Sequence, residues 1–491
     1  MIKLNWRYCC VLVLIIGFIG CAPPGSRNRK IPQIKLTVQN TLPIQRRDVP
    51  VVVSLNELRE IAPDFSFDAY LVVSGQPPEE IPSQADDLNY DGQKDELVFL
   101  ANLEPQETKV FTIRYTPDNP VAVMLGFHKR TRAGIFPELG GIAALESELA
   151  AYRLLQNGAI QPYGKHTDLL LSVESRFQGD LGYRRSVSPE LRREFDRNNI
   201  PISRNTVVEI LKPFSSWMIR SQDNQQRYLV RKDDDDLKIY RGEELSIDRL
   251  VNQKTAQSVE SNAVMIPLIS EDYSVGCGGF ALWDENGRKR LVPTGVADYV
   301  RVIADGPVRS VVQRIIPNWR LSSGTIGVTS TVMIYGGNRW IEHRINISGI
   351  ASNHWIATGI PALKGGVGKD GANGWLWTWG DTHTTSYSKK CGMGVIFPTD
   401  RYQRYEDLTS LDSEMGSIVA LLRPNENGLL RYYAFALWGD AVAGLGAKDE
   451  FDEYAQITAT ALNAPPVLKL SSEMSEKEAK VGEESGGQAD E

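Results

Sequence analysis

The chain has 491 residues, of which 42% are hydrophobic, and a formal net charge of −7. This length and composition allow a sizeable core and two or three domains. No basic stripe with interleaved aromatic residues occurs, which argues against a nucleic-acid partner.

The N-terminus has the pattern of an export signal. Two basic residues precede an apolar run from Cys9 to Gly20, which has the length of a signal-peptide core and is too short to span a bilayer. The run ends in Ile-Gly-Cys21, as in a bacterial lipobox; an ordinary secretory signal is the alternative. We predict that residues 1–20 are a lipoprotein signal peptide and that Cys21 is lipidated. Because Ala22 is not Asp, we expect an outer-membrane anchor in the cell envelope.

Composition and turn signals divide the rest of the chain into four segments. Residues 21–33 form a polar linker, and residues 34–118 form a small β module with an acidic loop. Residues 119–470 form a larger β-rich body, and residues 471–491 form an acidic tail that we expect to be disordered. Alternating runs separated by Gly, Asn, Asp and Pro predict an all-β fold, with a small N-terminal β-sandwich followed by a large antiparallel β-supersandwich.

The acidic loop has oxygen-bearing side chains at the spacing of calcium-binding loops, with Gly92 at the sharp turn. The candidate metal ligands are Asp87, Asn89, Asp91, Asp95 and Glu96. Val98 takes the position of the bidentate Glu of an EF-hand, and no flanking helices are evident. A structural Ca²⁺ is one interpretation, and an Asx-rich hairpin turn is the other. No organic cofactor is expected.

Residues 146–166 concentrate groups suited to acid–base chemistry and include one of the five histidines of the chain. Helical spacing and strand alternation both fit this stretch, and its β-rich surroundings favour strand. The alternative to a functional site is a solvated edge with a weak Glu–Arg pair. The candidates are Glu148, Arg153, Tyr163, Lys165 and His166.

A second stretch, GWLWTWGDTH, combines three tryptophans with a carboxylate and an imidazole. In a strand, five side chains of this stretch share one face. These are Trp375, Trp377, Trp379, Asp381 and His383. Flat aromatic faces stack on sugar rings, and the polar groups would bind hydroxyls. The alternative is a core stripe that packs one sheet on another.

A third stretch, WIEHRINI, alternates regularly. The pattern places His343 on the apolar face, where a lone histidine is usually a core residue. Glu342 and Arg344 lie on the opposite face and are the candidate binding groups.

Outside the signal peptide and apart from Cys21, the chain has two cysteines, Cys277 and Cys391. Two buried thiols are favoured over a disulfide.

Several short motifs resemble an uncharacterised family of bacterial lipoproteins, domain of unknown function 4861. The motifs are Glu-Ser-Glu at 146–148, Tyr-Arg at 152–153, Gly-Lys at 164–165, the Gly-Gly-Phe run that ends at Asp284, and Ala-Asp-Gly-Pro-Val-Arg at 304–309. The resemblance extends from roughly residue 35 to 470 and is weakest at 181–246. It implies a galactose-mutarotase-like supersandwich and an association with enzymes that degrade uronic-acid-containing polysaccharides.

Two classes of function follow. A carbohydrate-active enzyme of the lyase type needs a cation for the uronate carboxylate, a base and an acid. Arg153 or Lys165 would neutralise the carboxylate, His166 would be the base, and Tyr163 or Tyr152 would be the acid. Hydrolysis would instead need two carboxylates across a cleft. The alternative is a lipid-anchored glycan-binding protein without catalysis.

We place the site where the 146–166 stretch meets the tryptophan strand. This placement supposes that the two stretches converge on the concave face of the large sheet. The expected partner is an anionic glycan, and the membrane is contacted through the lipid alone. The sequence leaves the oligomeric state open.

Overall fold

A computed structural model describes the chain over most of its length. The described residues are 31–116, 127–136, 142–165, 168, 170, 207–211, 216–220, 227–233, 236–241, 265–269, 275–284, 287, 289–293, 296, 298–322, 324–350, 354–363, 365–381, 390–409, 416–439, 441 and 444–472. Cys21, His166 and His383 lie outside them.

Nearly all of the regular structure is strand. The first strands are β1 (Gln33–Gln39), β2 (Arg46–Ser54), β3 (Tyr70–Ser74), β4 (Glu79–Ile81), β5 (Ser83–Asp86), β6 (Glu96–Leu103), β7 (Thr108–Tyr115), β8 (Thr131–Phe136), β9 (Ile142–Ser147), β10 (Ala151–Leu154), β11 (Ile160–Lys165), β12 (Val207–Leu211), β13 (Ser216–Arg220), β14 (Arg227–Asp233) and β15 (Asp236–Arg241). The remaining strands are β16 (Met265–Pro267), β17 (Ala281–Trp283), β18 (Lys289–Arg290), β19 (Tyr299–Asp305), β20 (Arg309–Leu321), β21 (Gly324–Tyr335), β22 (Trp340–Ser348), β23 (Trp355–Pro361), β24 (Val367–Asp370), β25 (Trp375–Asp381), β26 (Lys390–Ile396), β27 (Tyr402–Asp407), β28 (Ser417–Leu422), β29 (Leu429–Trp438) and β30 (Val467–Ser472). The α-helices within the described ranges are α1 (Leu55–Ile61) and α2 (Lys448–Asn463), and Thr399–Arg401 forms a 3₁₀ turn.

A small sandwich forms the N-terminal part. A five-stranded sheet, in the order β30-β1-β7-β3-β4, packs on the three-stranded sheet β2-β6-β5. Alternation along β1 places Ile34, Leu36 and Val38 in its core, with no exposed surface. Strand β30 comes from the far end of the chain and pairs with β1, opposing Leu468 to Val38. The local sequence patterns did not indicate this contact.

The larger part contains an eight-stranded antiparallel sheet in the order β19-β20-β21-β22-β29-β26-β25-β24. Two five-stranded sheets, β16-β11-β10-β9-β8 and β18-β17-β23-β28-β27, share one continuous hydrophobic core with it. Strands β12 to β15 form a further four-stranded sheet. The all-β sandwich prediction is confirmed, whereas the galactose-mutarotase-like architecture and the domain boundaries remain predictions. No helix among the described residues is long and apolar enough to cross a membrane.

A buried ion-pair cluster joins the two parts. The Arg309 side chain at the start of β20 is fully buried, with Nε 2.6 Å from Asp86 Oδ2 and Nη1 2.6 Å from Glu96 Oε1. The amide oxygen of Gln84 accepts hydrogen bonds from the backbone N–H groups of Val308 and Arg309. The two carboxylates offset the charge of Arg309, which would otherwise be costly to bury.

Glycines bring the backbone close to neighbouring strands, as the Gly-Cys-Gly-Gly motif indicated. Gly278 has φ +75°, and a Cβ there would lie 2.1 Å from Ala434 Cβ, which excludes a side chain. Cys277, beside it, and Cys391 are buried free thiols, as favoured from the sequence. Burial raises the pKa of Cys277 to about 12, so it stays a neutral thiol.

Candidate functional site

Strands β22 and β29 bring four polar side chains together on one face of the eight-stranded sheet. Their antiparallel register opposes Glu342 to Tyr433 and Arg344 to Arg431. Opposed residues of an antiparallel pair project to the same face. The alternating Ile341, His343 and Ile345 instead point into the core, as predicted. We call the four-residue set Glu342, Arg344, Arg431 and Tyr433 the arginine groove.

A single buried carboxylate holds both arginines of the groove. Glu342 is 1% exposed, and its Oε1 atom lies 2.6 Å from Arg344 Nε and 2.7 Å from Arg431 Nε. Its Oε2 atom accepts a hydrogen bond of 3.0 Å from the Tyr335 hydroxyl. Burial opposes ionisation of Glu342, but the two guanidinium groups outweigh it and hold the pKa of Glu342 below its usual range. One negative and two positive charges leave the groove cationic.

The groove opens into a cavity of about 420 Å³. Arg431, whose side chain is 52% exposed, and Tyr433 line one wall, and the other wall residues include Asn373, Asp400 and Asn463. Burial, with the nearby Glu342 carboxylate, raises the pKa of Tyr433, so its hydroxyl keeps its proton. This wall therefore offers a guanidinium for a carboxylate and a neutral hydroxyl for hydrogen bonding.

His343, between Glu342 and Arg344, is a core histidine. Its Nε2 atom lies 2.7 Å from Ser330 Oγ, and its Nδ1 atom lies 2.8 Å from the Tyr432 hydroxyl. Burial lowers the pKa of His343 to about 4, so it is neutral at physiological pH. This environment agrees with the interpretation of His343 as a satisfied core residue.

The described part of the 146–166 stretch, residues 146–165, forms strands, as favoured, but it contributes to three short strands, β9, β10 and β11, rather than to one. Lys165 on β11 is 1% exposed; its Nζ atom lies 3.1 Å from Glu146 Oε2 and donates to Ser147 O at 2.7 Å. Burial lowers the pKa of Lys165. Lys165 and Glu146 thus form a buried ion pair inside the sheet.

The other candidates of this stretch have separate partners. Glu148 follows β9 and contacts Arg130, with Oε1 2.5 Å from Nε. Its Oε2 atom also accepts the Gly337 N–H at 2.8 Å. Arg153 and Tyr163 are buried side by side, with Nη1 3.4 Å from the tyrosine hydroxyl. The structure thus pairs Arg153 with Tyr163 and places Glu148 against a different loop.

The tryptophan stripe is largely covered. Trp375 and Trp377 stack on each other with centroids 3.4 Å apart, and Trp379 lies 5.2 Å from Phe451 of helix α2. Trp377 and Trp379 are each 5% exposed. This burial favours the core alternative over a sugar-stacking platform.

Asp381, at the end of the stripe, pairs with Lys390 at the surface, with Oδ2 2.8 Å from Nζ. Among the described residues, the hydrogen bonds, ion pairs and ring contacts of Trp375, Trp377, Trp379 and Asp381 are made with residues outside the 146–165 strands. Convergence of the two stretches therefore stays a prediction, and the two histidines of the predicted site, His166 and His383, lie outside the described residues.

The acidic loop is organised by hydrogen bonds from its own backbone. Asp87 accepts the N–H groups of Tyr90, Asp91 and Gly92, while Asp95 accepts those of Leu88 and Asn89. Glu96 instead pairs with Arg309, and within the described ranges no group of three or more His, Cys, Asp or Glu side chains is arranged to hold a metal ion. Calcium binding at this loop stays an untested prediction.

Arg431 and Tyr433 were not among the site residues predicted from the sequence. Alternation along LLRYYAFALW places both on one face of a strand, so the local signal was present. Their importance depends on the pairing of β29 with β22, which brings them beside Glu342.

The fold and site thus define an all-β protein with a cationic groove on a broad antiparallel sheet. The chain belongs to the family described as "Domain of unknown function (DUF4861)", whose model matches residues 38–138 and 273–468. The arginine groove lies inside the second range. The 146–165 motifs lie between the two ranges, so the match rests on other parts of the chain than those motifs.

No curated protein matches the chain. Among solved structures, an alpha-mannosidase from Enterococcus faecalis V583 aligns at 8% identity and a TM-score of 0.41, over 90% of this chain and 46% of its own. A glycosyl hydrolase family 38 protein from Enterococcus faecalis aligns at 9% identity and a TM-score of 0.41, over 90% of this chain and 47% of its own. The chain therefore spans about half the length of these two structures.

Proposed function

We propose that the protein binds an acidic, uronic-acid-containing glycan in the arginine groove. The observation that supports this most is the buried Glu342 carboxylate, which holds Arg344 and Arg431 at 2.6 and 2.7 Å beside an open cavity. Anchoring a guanidinium by its Nε leaves its other N–H donors for a ligand. A planar guanidinium matches a carboxylate through two parallel hydrogen bonds.

The remaining cavity wall suits sugar hydroxyls. Tyr433 donates from a hydroxyl that stays protonated, and the side-chain amides of Asn373 and Asn463 both donate and accept. A volume of about 420 Å³ lies within the range of small-ligand sites. One uronate unit, held by its carboxylate at Arg431, is the ligand that these groups fit.

We propose lyase-type chemistry for the bound glycan. Neutralising the uronate carboxylate makes the neighbouring C5 proton easier to remove, and Arg431 is placed to do this. The Asp400 carboxylate, which lines the same cavity, would take the C5 proton, and Tyr433 would give its proton to the leaving glycosidic oxygen as the C4–O bond breaks. Binding without turnover is the alternative function, because a surface carboxylate is a weaker base than a histidine and the described cavity walls include no histidine.

Calorimetric titration with oligogalacturonides and neutral galactan oligosaccharides tests the binding site. We expect binding of the acidic oligosaccharide only, and at least about tenfold weaker binding in Arg431→Met, the effect of losing a charge-assisted hydrogen bond. Arg404→Met is the matched control, since Arg404 forms a similar surface pair with Glu406 on another sheet. Unchanged binding in Arg431→Met would contradict the proposal.

Turnover separates the two functions. A lyase produces new unsaturated ends, and Tyr433→Phe should abolish them while acidic oligosaccharide is still bound. Acidic binding by the wild type without new ends would favour the glycan-binding alternative.

We also propose that the protein is exported and tethered by lipid at Cys21. The support is the charged start, the short apolar run and the Ile-Gly-Cys sequence. Mass spectrometry of the protein from its native membrane should find a mature chain that begins with lipid-modified Cys21. An unmodified terminus at another residue would contradict this.

A further inference from the structure

A second cavity, of about 460 Å³, lies at one end of the large sandwich. Its walls come from the end of β17, from β18, from the end of β20 and from the residue before β23. It shares no lining residue with the cavity of the arginine groove. The end of a sandwich, where two sheets separate, is a frequent place for a ligand site.

A buried carboxylate and a buried imidazole line this cavity. Trp283 of β17 is paired with Trp355 of β23 in an antiparallel register. Asp284 follows Trp283 and His354 precedes Trp355, so continuing this register by one residue places Asp284 opposite His354. They share the face of Leu282 and Ile356, which belong to the main core. Asp284 is 4% exposed and His354 is 2% exposed, and both line the cavity.

Two cationic side chains complete the walls. Lys289 on β18 is half-buried, and Arg320 near the end of β20 is exposed. Buried Trp319 and the hydroxyl-bearing Ser322 also line the space. The cavity therefore combines cations near the surface with a polar pair at depth.

We propose that this cavity binds a small hydroxylated carboxylic acid, either an acidic monosaccharide or an open-chain hydroxy acid. Lys289 and Arg320 bind the carboxylate, and Asp284 and His354 exchange hydrogen bonds with the hydroxyls. Guanidinium and ammonium groups suit a carboxylate, and a carboxylate beside an imidazole offers the acceptors and donors that hydroxyl groups use. The site is independent of the arginine groove.

Ligand-observed NMR and calorimetry on the full chain test this site with galacturonate, tartrate and galactose. We expect at least one of the two acids to bind and galactose to bind at least tenfold more weakly. Tighter binding of galacturonate would identify the ligand as a sugar acid, and tighter binding of tartrate would identify it as an open-chain acid. Arg320→Met and Lys289→Met, both at partly exposed positions, should each weaken acid binding about tenfold.

These titrations are repeated in the Arg431→Met background, where the arginine groove no longer contributes to acid binding, and Lys448→Met, at an exposed position that lines neither cavity, is the control that should leave acid binding unchanged. A loss of all acid binding in the Arg431→Met background would assign the binding to the arginine groove and overturn the proposal. Failure of both acids to bind, or equal binding of galactose, would overturn it as well. His354→Gln is not used as a test, because this substitution at a buried position could unfold the chain. Instead, the imidazole resonances of His354 are followed by NMR in the wild type. They should shift when acid is added, and unshifted resonances would count against the site.

Discussion

The Oε1 atom of Glu342 lies 2.7 Å from Nε of Arg431, across two strands that are far apart in the chain. Glu342→Gln keeps the shape of the side chain but removes the charge that holds the groove arginines. Removing one member of a buried ion pair costs about 3 kcal/mol of unfolding free energy. Urea denaturation at pH 7 measures this loss. Glu406→Gln, in the surface pair with Arg404, is the control and should cost less than about 1 kcal/mol.

Glu342→Gln should also change how the free energy of unfolding depends on pH. The folded-state pKa of Glu342 lies below the ordinary value of 4.5. Its ion pairs therefore contribute their full stability above pH 4.5 and lose it as pH falls through the folded-state pKa. The stability difference between wild type and Glu342→Gln should be constant above about pH 5 and shrink at lower pH. A difference that grows on acidification would contradict the assigned ionisation.

The buried His343 should give the free energy of unfolding a second, separate pH dependence. Burial lowers its pKa from 6.5 to about 4 in the folded chain, so between these values the unfolded chain binds a proton that the folded chain does not. Stability should therefore fall as pH drops below 6.5, by about 2 kcal/mol at pH 5. His343→Gln should lack this part of the pH dependence. Parallel curves of stability against pH for the two proteins would show that His343 is not buried and neutral.

The buried pair Glu146–Lys165 is suited to a double-mutant cycle. Glu146→Gln or Lys165→Met alone leaves one uncompensated buried charge and should cost about 3 to 5 kcal/mol. The double variant should be less destabilised than the sum of the two single variants, because neither charge remains. Thermal and urea unfolding provide the four free energies. If the double variant folds and keeps glycan binding, Lys165 has a structural rather than a substrate-binding role.

The calcium prediction is tested on chelator-treated protein. Binding to the folded state alone raises the melting temperature by mass action, so added Ca²⁺ should raise it if the loop is a metal site. Asp91→Ala should remove this rise, while Asp68→Ala, in another loop of the N-terminal part, should not. An unchanged melting temperature in the wild type would leave the loop as the hydrogen-bonded turn that the structure describes.

The sequence by itself determined the strand-rich fold, because alternation of apolar and polar residues directly reports which face of a strand is buried. The same periodicity separated His343 from Glu342 and Arg344, and close glycines indicated the tight backbone approach at Gly278. These properties depend on residues near one another in the chain. Local pattern is therefore sufficient to predict them.

Only the tertiary structure decided which strands are neighbours. Pairing of β22 with β29 placed Arg431 and Tyr433 beside Glu342, and pairing of β17 with β23 brought Asp284 opposite His354. Helix α2 covered Trp379, and β11 buried Lys165 against Glu146. Strand order and register arise from packing between distant segments, and burial in turn decides whether a charged or aromatic side chain meets a ligand or a core.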